Sequence, residues 1–313
     1  MANPITLLAV DVGGTEIKAA LLAAESGTPT GQAQLTVLTR ARRTTPRGTD
    51  GDSTANAVVN AVAELAAEFS QDHPIAAVGV VAPGIVHNGI GVYSANLGWR
   101  DFPFRAALAA AVGGPVAFGH DTGAGGLAEL RMGAARGYQD VVVMPIGTGI
   151  AGAVIMDGAL RTGGGYAGEI GHVDVGHGLP CGCGLTGCME AMASSAAIAR
   201  RYTEKTGRSV PGAAEVLHAV AEGDAVAIEV WHDALDALAR GIRVLATLLG
   251  PEVVVLGGGL AMAGEELLTP VANRLGALLT FQRRPELRLA ELGDEAGCLG
   301  AGLLALAEIE GES

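Results

Sequence analysis

Apolar residues recur along the chain with two different spacings, which together predict an alternation of strands and helices. Short runs rich in apolar residues predict strands at 5–10, 16–23, 34–45, 76–81, 115–118, 140–147, 150–156, 253–256 and 287–291. Apolar positions at helical spacing predict helices at 53–69, 103–112, 122–136, 189–204, 211–221, 223–249, 263–278 and 300–308. Ser53 or Thr54 is the expected N-cap of the first helix. This alternation is typical of an α/β protein.

Two of the predicted strands end in short turns of glycine and threonine, and each turn leads directly into a further strand. The first turn is Asp11-Val12-Gly13-Gly14-Thr15, and the second is Gly147-Thr148-Gly149. Recurrence of one structural unit along a chain indicates an internal duplication, here of two α/β halves. Because backbone N–H groups at the tips of such turns bind phosphate oxygens well, both turns are candidate phosphate sites.

A cysteine-rich segment at residues 165–190 carries the most distinctive side chains of the chain. Three of the four cysteines fall in it: Cys181, Cys183 and Cys188. Thiolates together with an imidazole form a ligand set for tetrahedral zinc, and His172 and His177 are the candidate imidazoles. The Cys-x-Cys spacing is too short for easy disulfide formation, which favours a metal. Glu169 and Glu190 flank the same segment and could face a substrate.

Single polar residues stand at the ends of other predicted strands. Asp121 follows the strand at 115–118 and precedes a helix, where open α/β sheets bind ligands. The alternative is that Asp121 is the N-cap of that helix. Asn96 lies in a loop beside Trp99, a pair that suits a polyol, although a tryptophan is more often part of the core.

Composition and charge restrict the classes of function. A chain of 313 residues has room for about two domains. Its net charge of −13 argues against nucleic acid or an anionic membrane as a partner, because both need a basic surface. The apolar stretches are interrupted by polar residues, and the first residues lack the features of a secretory signal. We therefore expect a cytoplasmic protein, in which Cys298 is a small buried apolar residue.

Taken together, the motifs resemble those of the ROK family of sugar kinases over nearly the whole chain. They occur in the family's order: Asp11-Val-Gly-Gly-Thr15, Gly147-Thr-Gly149, Glu169-Ile-Gly-His172, Cys181-Gly-Cys-Gly-Leu-Thr-Gly-Cys188-Met-Glu190 and Gly257-Gly-Gly259. The resemblance implies the duplicated, RNase H-like actin-like ATPase fold of sugar kinases and hexokinases, with two domains flanking a cleft. We assign 1–118 plus 300–313 to a small α/β domain, and 119–299 to a large domain that contains the zinc-binding loop.

The resemblance also implies a role for each motif residue. Asp121 would be the general base that deprotonates the 6-hydroxyl of glucose or a glucose-like hexose, and Asp11 would hold Mg²⁺ through water. The ATP phosphates would lie against Gly13, Gly14, Thr15, Gly147, Thr148 and Gly149. The adenosine would be bordered by Gly257, Gly258 and Gly259. The residues implied to bind the sugar hydroxyls are Asn96, Glu169, His172 and Glu190.

A structural Zn²⁺ is implied as well. Its ligands in the family pattern correspond to His172, Cys181, Cys183 and Cys188. This pattern favours His172 over His177. The other nitrogen of the His172 ring would then face the substrate, so that the metal fixes its tautomer.

The chain departs from the family pattern beside Asp121. The family usually has asparagine where this chain has His120, and a second usual asparagine is Gly123. An imidazole differs from an amide in shape and can accept a hydrogen bond from an ammonium group when it is neutral. Two interpretations therefore stand: His120 still binds glucose, or it selects an amino sugar such as kanosamine (3-amino-3-deoxyglucose) or a C7-cyclitol of antibiotic biosynthesis.

Two other classes of function are disfavoured relative to a kinase. Sugar-responsive repressors of the same family carry a DNA-binding domain ahead of the first turn, and a turn that begins at Asp11 leaves no room for one. A non-catalytic sugar sensor is disfavoured because Asp121 is retained. The family implies a homodimer or homotetramer without fixing which, and the motifs do not distinguish ATP from polyphosphate as the phosphoryl donor.

Overall fold

The computed structural model describes residues 4–25 and 34–311. The strands are β1 (Ile5–Val12), β2 (Glu16–Ala24), β3 (Leu35–Thr44), β4 (Ala77–Ala82), β5 (Ile85–His87), β6 (Ile90–Tyr93), β7 (Arg100–Phe102), β8 (Val116–His120), β9 (Val141–Pro145), β10 (Ala153–Met156), β11 (Ala159–Leu160), β12 (Val253–Gly257) and β13 (Glu286–Leu289). The α-helices are α1 (Gly51–Phe69), α2 (Phe104–Val112), α3 (Asp121–Met132), α4 (Met189–Ala193), α5 (Ser195–Thr206), α6 (Ala213–Ala221), α7 (Ala225–Leu249), α8 (Glu265–Leu278) and α9 (Ala296–Glu310). None of these helices is both long and apolar enough to cross a membrane.

The chain divides into two compact units. Unit 1 contains the described residues of Met1–Gly133, Thr162–Ala167 and Asp294–Ser313. Its main sheet has the strand order β3-β2-β1-β4-β8, in which the first three strands are antiparallel and the last three are parallel. The small sheet β5-β6-β7 also belongs to this unit. Apolar side chains of β1, β4 and α1 form its core, and they include Leu8, Val10, Val62 and Val80.

Unit 2 consists of Ala134–Arg161 and Gly168–Gly293. Its sheet has the order β11-β10-β9-β12-β13, with β9 antiparallel to β10 and parallel to β12. The long helix α7 begins at the N-cap Asp224, whose carboxylate accepts hydrogen bonds from Val226 and Ala227. One face of α7 is buried, as the 3.6-residue apolar period predicts.

The two sheets repeat one topology. In each, an antiparallel pair joined by a glycine-rich turn continues into a third antiparallel strand on one side and two parallel strands on the other. The duplication predicted from the two turns is therefore present in the fold. Buried strands such as β4 and β12 read as continuous apolar runs because both of their faces are covered.

The division between the units differs from the predicted domain boundaries. The sequence assigns residues 119–299 to the large domain, whereas α3 and the first turn of α9 lie in unit 1. The physical reason is packing, because α9 lies against both α3 and β4. At β4 the approach is so close that a Cβ on Gly79 would lie 1.8 Å from the carbonyl oxygen of Ala301.

Three helix ends also differ from the sequence prediction. The N-cap of α1 is Asp50 rather than Ser53 or Thr54, and Asp50 forms a reciprocal capping box with Ser53. The single helix predicted at 189–204 is broken at Ser194, which caps α5 instead of continuing α4. The last helix begins at Ala296, a full turn before the predicted start at residue 300.

Candidate active site and metal centre

The first glycine turn of unit 1 is closed by its own backbone and supported by the segment that follows β3. Gly13 N–H donates to the carbonyl of Glu16 at 2.9 Å. Thr45 Oγ1 donates to the carbonyl of Gly13 at 2.7 Å, and an Arg47 guanidinium nitrogen donates to the carbonyl of Gly14 at 2.6 Å. Sequence reasoning missed both supports, because nothing local links residues 45 and 47 to a turn some thirty positions earlier.

Both glycine turns leave consecutive backbone N–H groups without a protein acceptor. In the described part of the chain these are the N–H groups of Gly14 and Thr15 in the first turn, and of Thr148 and Gly149 in the second. The side chains of Thr15 and Thr148 are exposed. Two adjacent free amides in a tight turn can bind an anion such as a phosphate oxygen.

Asp11 is the penultimate residue of β1, and its surroundings disfavour the charged form of its carboxyl. The pKa of its carboxyl is raised to about 6, chiefly by burial, then by the negative charge of Asp121, while Lys18 opposes the shift and Asp294 adds to it. Carboxylate oxygens are ligands that Mg²⁺ prefers, and a divalent cation would offset the repulsion between Asp11 and Asp121. These residues therefore fit the ion that the resemblance implies.

Asp121 lies where β8 passes into α3, but it does not cap the helix. The N-cap is His120, whose Nδ1 accepts from Gly123 N–H at 3.4 Å, so the alternative role of Asp121 as a cap is wrong. The Oδ1 atom of Asp121 accepts from Thr122 N at 2.5 Å and Thr122 Oγ1 at 3.2 Å. His120 Nε2 lies 3.3 Å from the same oxygen.

The other carboxylate oxygen of Asp121 has a different environment. Among the described residues, every hydrogen-bond donor to this carboxylate lies at Oδ1, which leaves Oδ2 free. The side chains of His120 and Asp121 are both partly exposed, at 30% and 31%. A fixed carboxylate with one accessible oxygen is the geometry that a general base needs.

Asn96 and Trp99 do not form the pair that the sequence suggested for a polyol. The Asn96 side chain is exposed, and its backbone carbonyl accepts from Arg47 at 2.6 Å. Arg47 thus connects the Asn96 loop to the first glycine turn. Trp99 is 1% exposed and packs edge-on against Phe104, with 4.7 Å between the ring centroids, so it belongs to the core.

The second glycine turn, in unit 2, is supported from two directions. Ile150 N–H donates to Glu190 Oε2 at 2.7 Å, and Ser195 N–H donates to the carbonyl of Gly147 at 2.8 Å. The predicted adenosine-binding glycines adjoin this turn, because the carbonyl of Gly257 accepts from Ile146 N–H at 2.9 Å. Gly258 has a φ of 71° and contacts the Ile146 backbone so closely that a Cβ would lie 2.5 Å from its carbonyl oxygen.

Four side chains of unit 2 form a metal-ligand cluster. One ligand atom from each of His172, Cys181, Cys183 and Cys188 lies within 4.8 Å of all the others. Cys181 Sγ lies 3.6 Å from His172 Nδ1, and Cys183 Sγ lies 3.7 Å from Cys188 Sγ. Zinc–sulfur bonds of about 2.3 Å place tetrahedral sulfur ligands about 3.8 Å apart. The donor set and its spacing therefore fit Zn²⁺.

The rival histidine lies outside this cluster. His177 Nε2 lies 3.0 Å from the carbonyl of Cys188, and its Nδ1 accepts from Leu179 N–H at 3.2 Å. Both of its ring nitrogens are thus occupied by the backbone. His172, in contrast, directs Nδ1 toward Cys181, and its Nε2 lies 3.8 Å from Glu169 Oε2.

The thiols of the chain differ in their electrostatic environment. Burial raises the pKa of Cys188 to about 12, whereas a backbone hydrogen bond from Leu185 lowers the pKa of Cys183. A nearby cation is therefore needed to hold Cys188 as a thiolate at neutral pH. Cys298 lies elsewhere, in unit 1, where burial raises its pKa to about 12 and its Sγ contacts the carbonyl of Lys18. It is the small buried residue that we expected.

Comparisons with known proteins agree with these motifs. The model of the ROK family matches residues 7–308. Glucokinase of Halalkalibacterium halodurans is 33% identical over 316 residues, covering 94% of this chain and 93% of the relative. The crystal structure of a ROK hexokinase from Thermus thermophilus superimposes with a TM-score of 0.84 at 33% identity, covering 98% of this chain and 100% of the other.

A further solved structure includes ligands. The ROK family glucokinase of Streptomyces griseus, in complex with glucose and AMPPNP, has a TM-score of 0.76 at 30% identity and covers 96% of this chain and 99% of its own. The likeness confirms the expected actin-like ATPase fold of sugar kinases. By its motifs, its topology and its relatives, the chain belongs to the ROK family.

Proposed function

We propose that the protein is an ATP-dependent kinase that phosphorylates the 6-hydroxyl of glucose or a glucose-like hexose. The observation that carries the proposal is the Asp121 carboxylate, held at Oδ1 and free at Oδ2 among the described residues. The glucokinases among its relatives support both the donor and the class of acceptor.

Asp121 acts as the general base in this mechanism. Its Oδ2 accepts the proton of the sugar hydroxyl as that oxygen attacks the γ-phosphorus of ATP, and the bond from this phosphorus to the β,γ-bridging oxygen breaks to release ADP. The donors at Oδ1, from Thr122 and His120, hold the carboxylate in one orientation. Phosphoryl transfer depends mainly on positioning and on neutralising charge, so an oriented base is more useful than a strong one.

The free amides of the two glycine turns bind phosphate oxygens of ATP. A bound Mg²⁺ supplies positive charge that offsets the charge on the phosphates. Asp11 would hold this ion, directly or through water. Gly257, Gly258 and Gly259 approach the adenosine, because a residue without a side chain allows close contact.

The polar side chains that would bind the sugar hydroxyls are Asn96, His120, Asp121, Glu169, His172 and Glu190. A zinc ion held by His172, Cys181, Cys183 and Cys188 would have a structural role, because four protein ligands would leave it no open position for a substrate. It would orient His172 and the chain on either side of it. A homodimer or homotetramer is the assembly we propose, and light scattering after size-exclusion chromatography measures it.

The amino-sugar alternative conflicts with the contacts of His120. To bind an ammonium group, a neutral imidazole needs an acceptor nitrogen facing the substrate. The acceptor nitrogen here is Nδ1, which receives the Gly123 N–H, and the remaining nitrogen faces Asp121. We therefore favour glucose or a close relative over kanosamine or a C7-cyclitol.

A substrate panel tests the proposal. We would measure kcat/KM with ATP and Mg²⁺ for glucose, mannose, glucosamine, N-acetylmannosamine, kanosamine and a cyclitol, and locate the phosphate in the product by NMR. Glucose or a close relative should give the highest value, with the phosphate on the 6-oxygen. A parallel series with polyphosphate identifies the donor. Absence of transfer to every sugar from either donor contradicts the kinase assignment.

A further inference from the structure

We propose that Glu190 positions the second glycine turn for nucleotide binding, in addition to any contact with the sugar. This proposal rests on the kinase function above, in which that turn binds ATP phosphates. The first observation is the hydrogen bond of 2.7 Å from Ile150 N–H to Glu190 Oε2. A carboxylate acceptor makes a hydrogen bond of this kind stronger than a neutral one.

The contact with the turn is close and leaves no space between the two elements. A Cβ added to Gly149 would lie 2.5 Å from Glu190 Oε2. The carboxylate therefore packs directly against the backbone of the turn. Glu190 accepts the N–H of Ile150, the residue that directly follows Thr148 and Gly149, whose amides are free. Those two amides remain available for phosphate.

The second observation is that the first residue of α5, which follows α4 directly in sequence, holds the turn from the other side. This residue is Ser195, next to the shared cap Ser194, and its N–H donates to the carbonyl of Gly147 at 2.8 Å. One short segment thus supplies an acceptor to one arm of the turn and a donor to the other. Both contacts lie within unit 2.

The third observation connects α4 to the metal-ligand cluster. A helix of five residues has too few internal hydrogen bonds to hold its own position. Here the N-cap is Cys188, a cluster residue, and Met189 N–H donates to the carbonyl of Val173 at 2.9 Å, next to His172. The position of Glu190 is therefore set by the cluster, which makes Glu190 the link between the metal centre and the nucleotide-binding turn.

The test is the affinity for AMPPNP and Mg²⁺ without sugar, measured by calorimetry. The contact with the turn needs an acceptor oxygen at the distance from the backbone that a glutamate side chain provides. Glutamine keeps such an oxygen, so Glu190→Gln should bind AMPPNP within about twofold of the wild type. Glu190→Ala should weaken binding by about fivefold or more, since the Ile150 N–H loses its acceptor. Glu190→Asp should resemble Glu190→Ala, because its carboxylate is one methylene too short.

Glu169 provides the matched control. It flanks the same cluster, but its carboxylate contacts His172 and not the glycine turn. Glu169→Ala and Glu169→Gln should therefore leave the AMPPNP affinity unchanged while they weaken sugar binding. Zinc content and circular dichroism establish that each variant is folded, and the Gln and Asp variants decide the question if the Ala variant does not fold.

The outcomes separate this inference from the kinase assignment. If the wild type binds AMPPNP and all Glu190 variants bind it equally well, the inference is wrong and the proposed function stands. If Glu190→Asp binds better than Glu190→Gln, charge rather than the hydrogen bond matters, and the inference is also wrong. If the wild type binds no AMPPNP and transfers no phosphate, both proposals fail.

Discussion

The first glycine turn joins β1 to β2 and the second joins β9 to β10, which are the corresponding pairs of the two sheets. The two turns are nevertheless supported in different ways. The carbonyls of the first turn accept hydrogen bonds from Thr45 and Arg47, which follow β3 directly. The second turn is supported by Glu190 and Ser195, which follow the metal-ligand cluster. Duplication has thus preserved the sheet and the turn, while the supporting segments differ.

The acidic residue also distinguishes the two halves. Asp11 pairs with Val81 on β4, and the residue in the corresponding register of the second sheet is Pro145, which pairs with Gly257 on β12. Only the first of these two positions can hold a cation. The comparison therefore indicates that a carboxylate on the strand that leads into the turn is specific to unit 1, whereas the turn of unit 2 is supported by residues that follow the cluster.

Among the changes that test this difference between the two units, removal of the metal should lower the stability most. A structural zinc contributes its binding free energy to folding, so Cys188→Ser should lose the metal and lower Tm by about 10 °C or more. The control is Cys298→Ala, which should keep full zinc content and lose only about 1 kcal/mol of stability. Elemental analysis and thermal melts measure both. Retention of metal and Tm in Cys188→Ser would contradict the cluster's role.

Substitution of the two histidines near the cluster tests which imidazole binds the metal. His172→Ala should lose zinc, because its Nδ1 faces Cys181. His177→Ala should keep it, because both of its ring nitrogens contact the backbone. The reverse pattern in the zinc analysis would reassign the ligand.

One glycine substitution in each turn compares how closely the two turns are packed. An added Cβ meets nothing within 4 Å at Gly14, whereas at Gly149 it displaces Glu190. We expect Gly14→Ala to change the free energy of unfolding by less than about 0.5 kcal/mol. Gly149→Ala should cost about 1.5 to 3 kcal/mol, the typical contribution of a hydrogen bond to a charged group. Urea denaturation without ligands measures the difference, and equal costs would contradict it.

Asp11 should make the stability of the metal-free protein depend on pH. Its pKa is raised from 3.8 to about 6, so the folded state binds the proton more tightly and loses stability as pH rises through that range. Asp11→Asn cannot ionise and should be more stable than the wild type by up to about 3 kcal/mol above pH 7, with little difference near pH 4. Melts with EDTA at several pH values measure this. Parallel pH curves would exclude the raised pKa.

The smallest effect expected is at His120. Asparagine caps a helix well, so His120→Asn should keep α3 while it loses the contact with Asp121. Because both ring nitrogens of His120 are engaged, by Gly123 and by Asp121, we expect the ratio of kcat/KM for glucose to that for an amino sugar to change by less than about twofold. A larger change in this ratio would show that His120 selects the substrate.

Much of the fold could be predicted from the sequence because its signals are local. Continuous apolar runs located β1, β4, β9 and β12, and the two glycine turns revealed the duplication. The Cys-x-Cys spacing located the cluster. Helix ends were less predictable, because Asp50 and Ser194 compete with nearby polar residues that cap equally well in isolation.

The supports of the site could not be predicted in this way. The bonds from Arg47 to Gly14 and from Ile150 to Glu190 join residues far apart in sequence, and no local pattern encodes such pairs. The role of His120 as the N-cap was missed because histidine is not a preferred cap, so the adjacent Asp121 matched the pattern better.

The central claim is that Asp121 takes the proton from the substrate hydroxyl, and single-turnover phosphoryl transfer tests it most directly. In a rapid-quench measurement with ATP, Mg²⁺ and glucose, Asp121→Asn should slow transfer by about 10²- to 10⁴-fold. The Kd values for glucose and AMPPNP should change by less than about threefold. The exposed Asp52→Asn serves as the control and should leave transfer unchanged. A transfer rate in Asp121→Asn equal to that of the wild type would contradict the account.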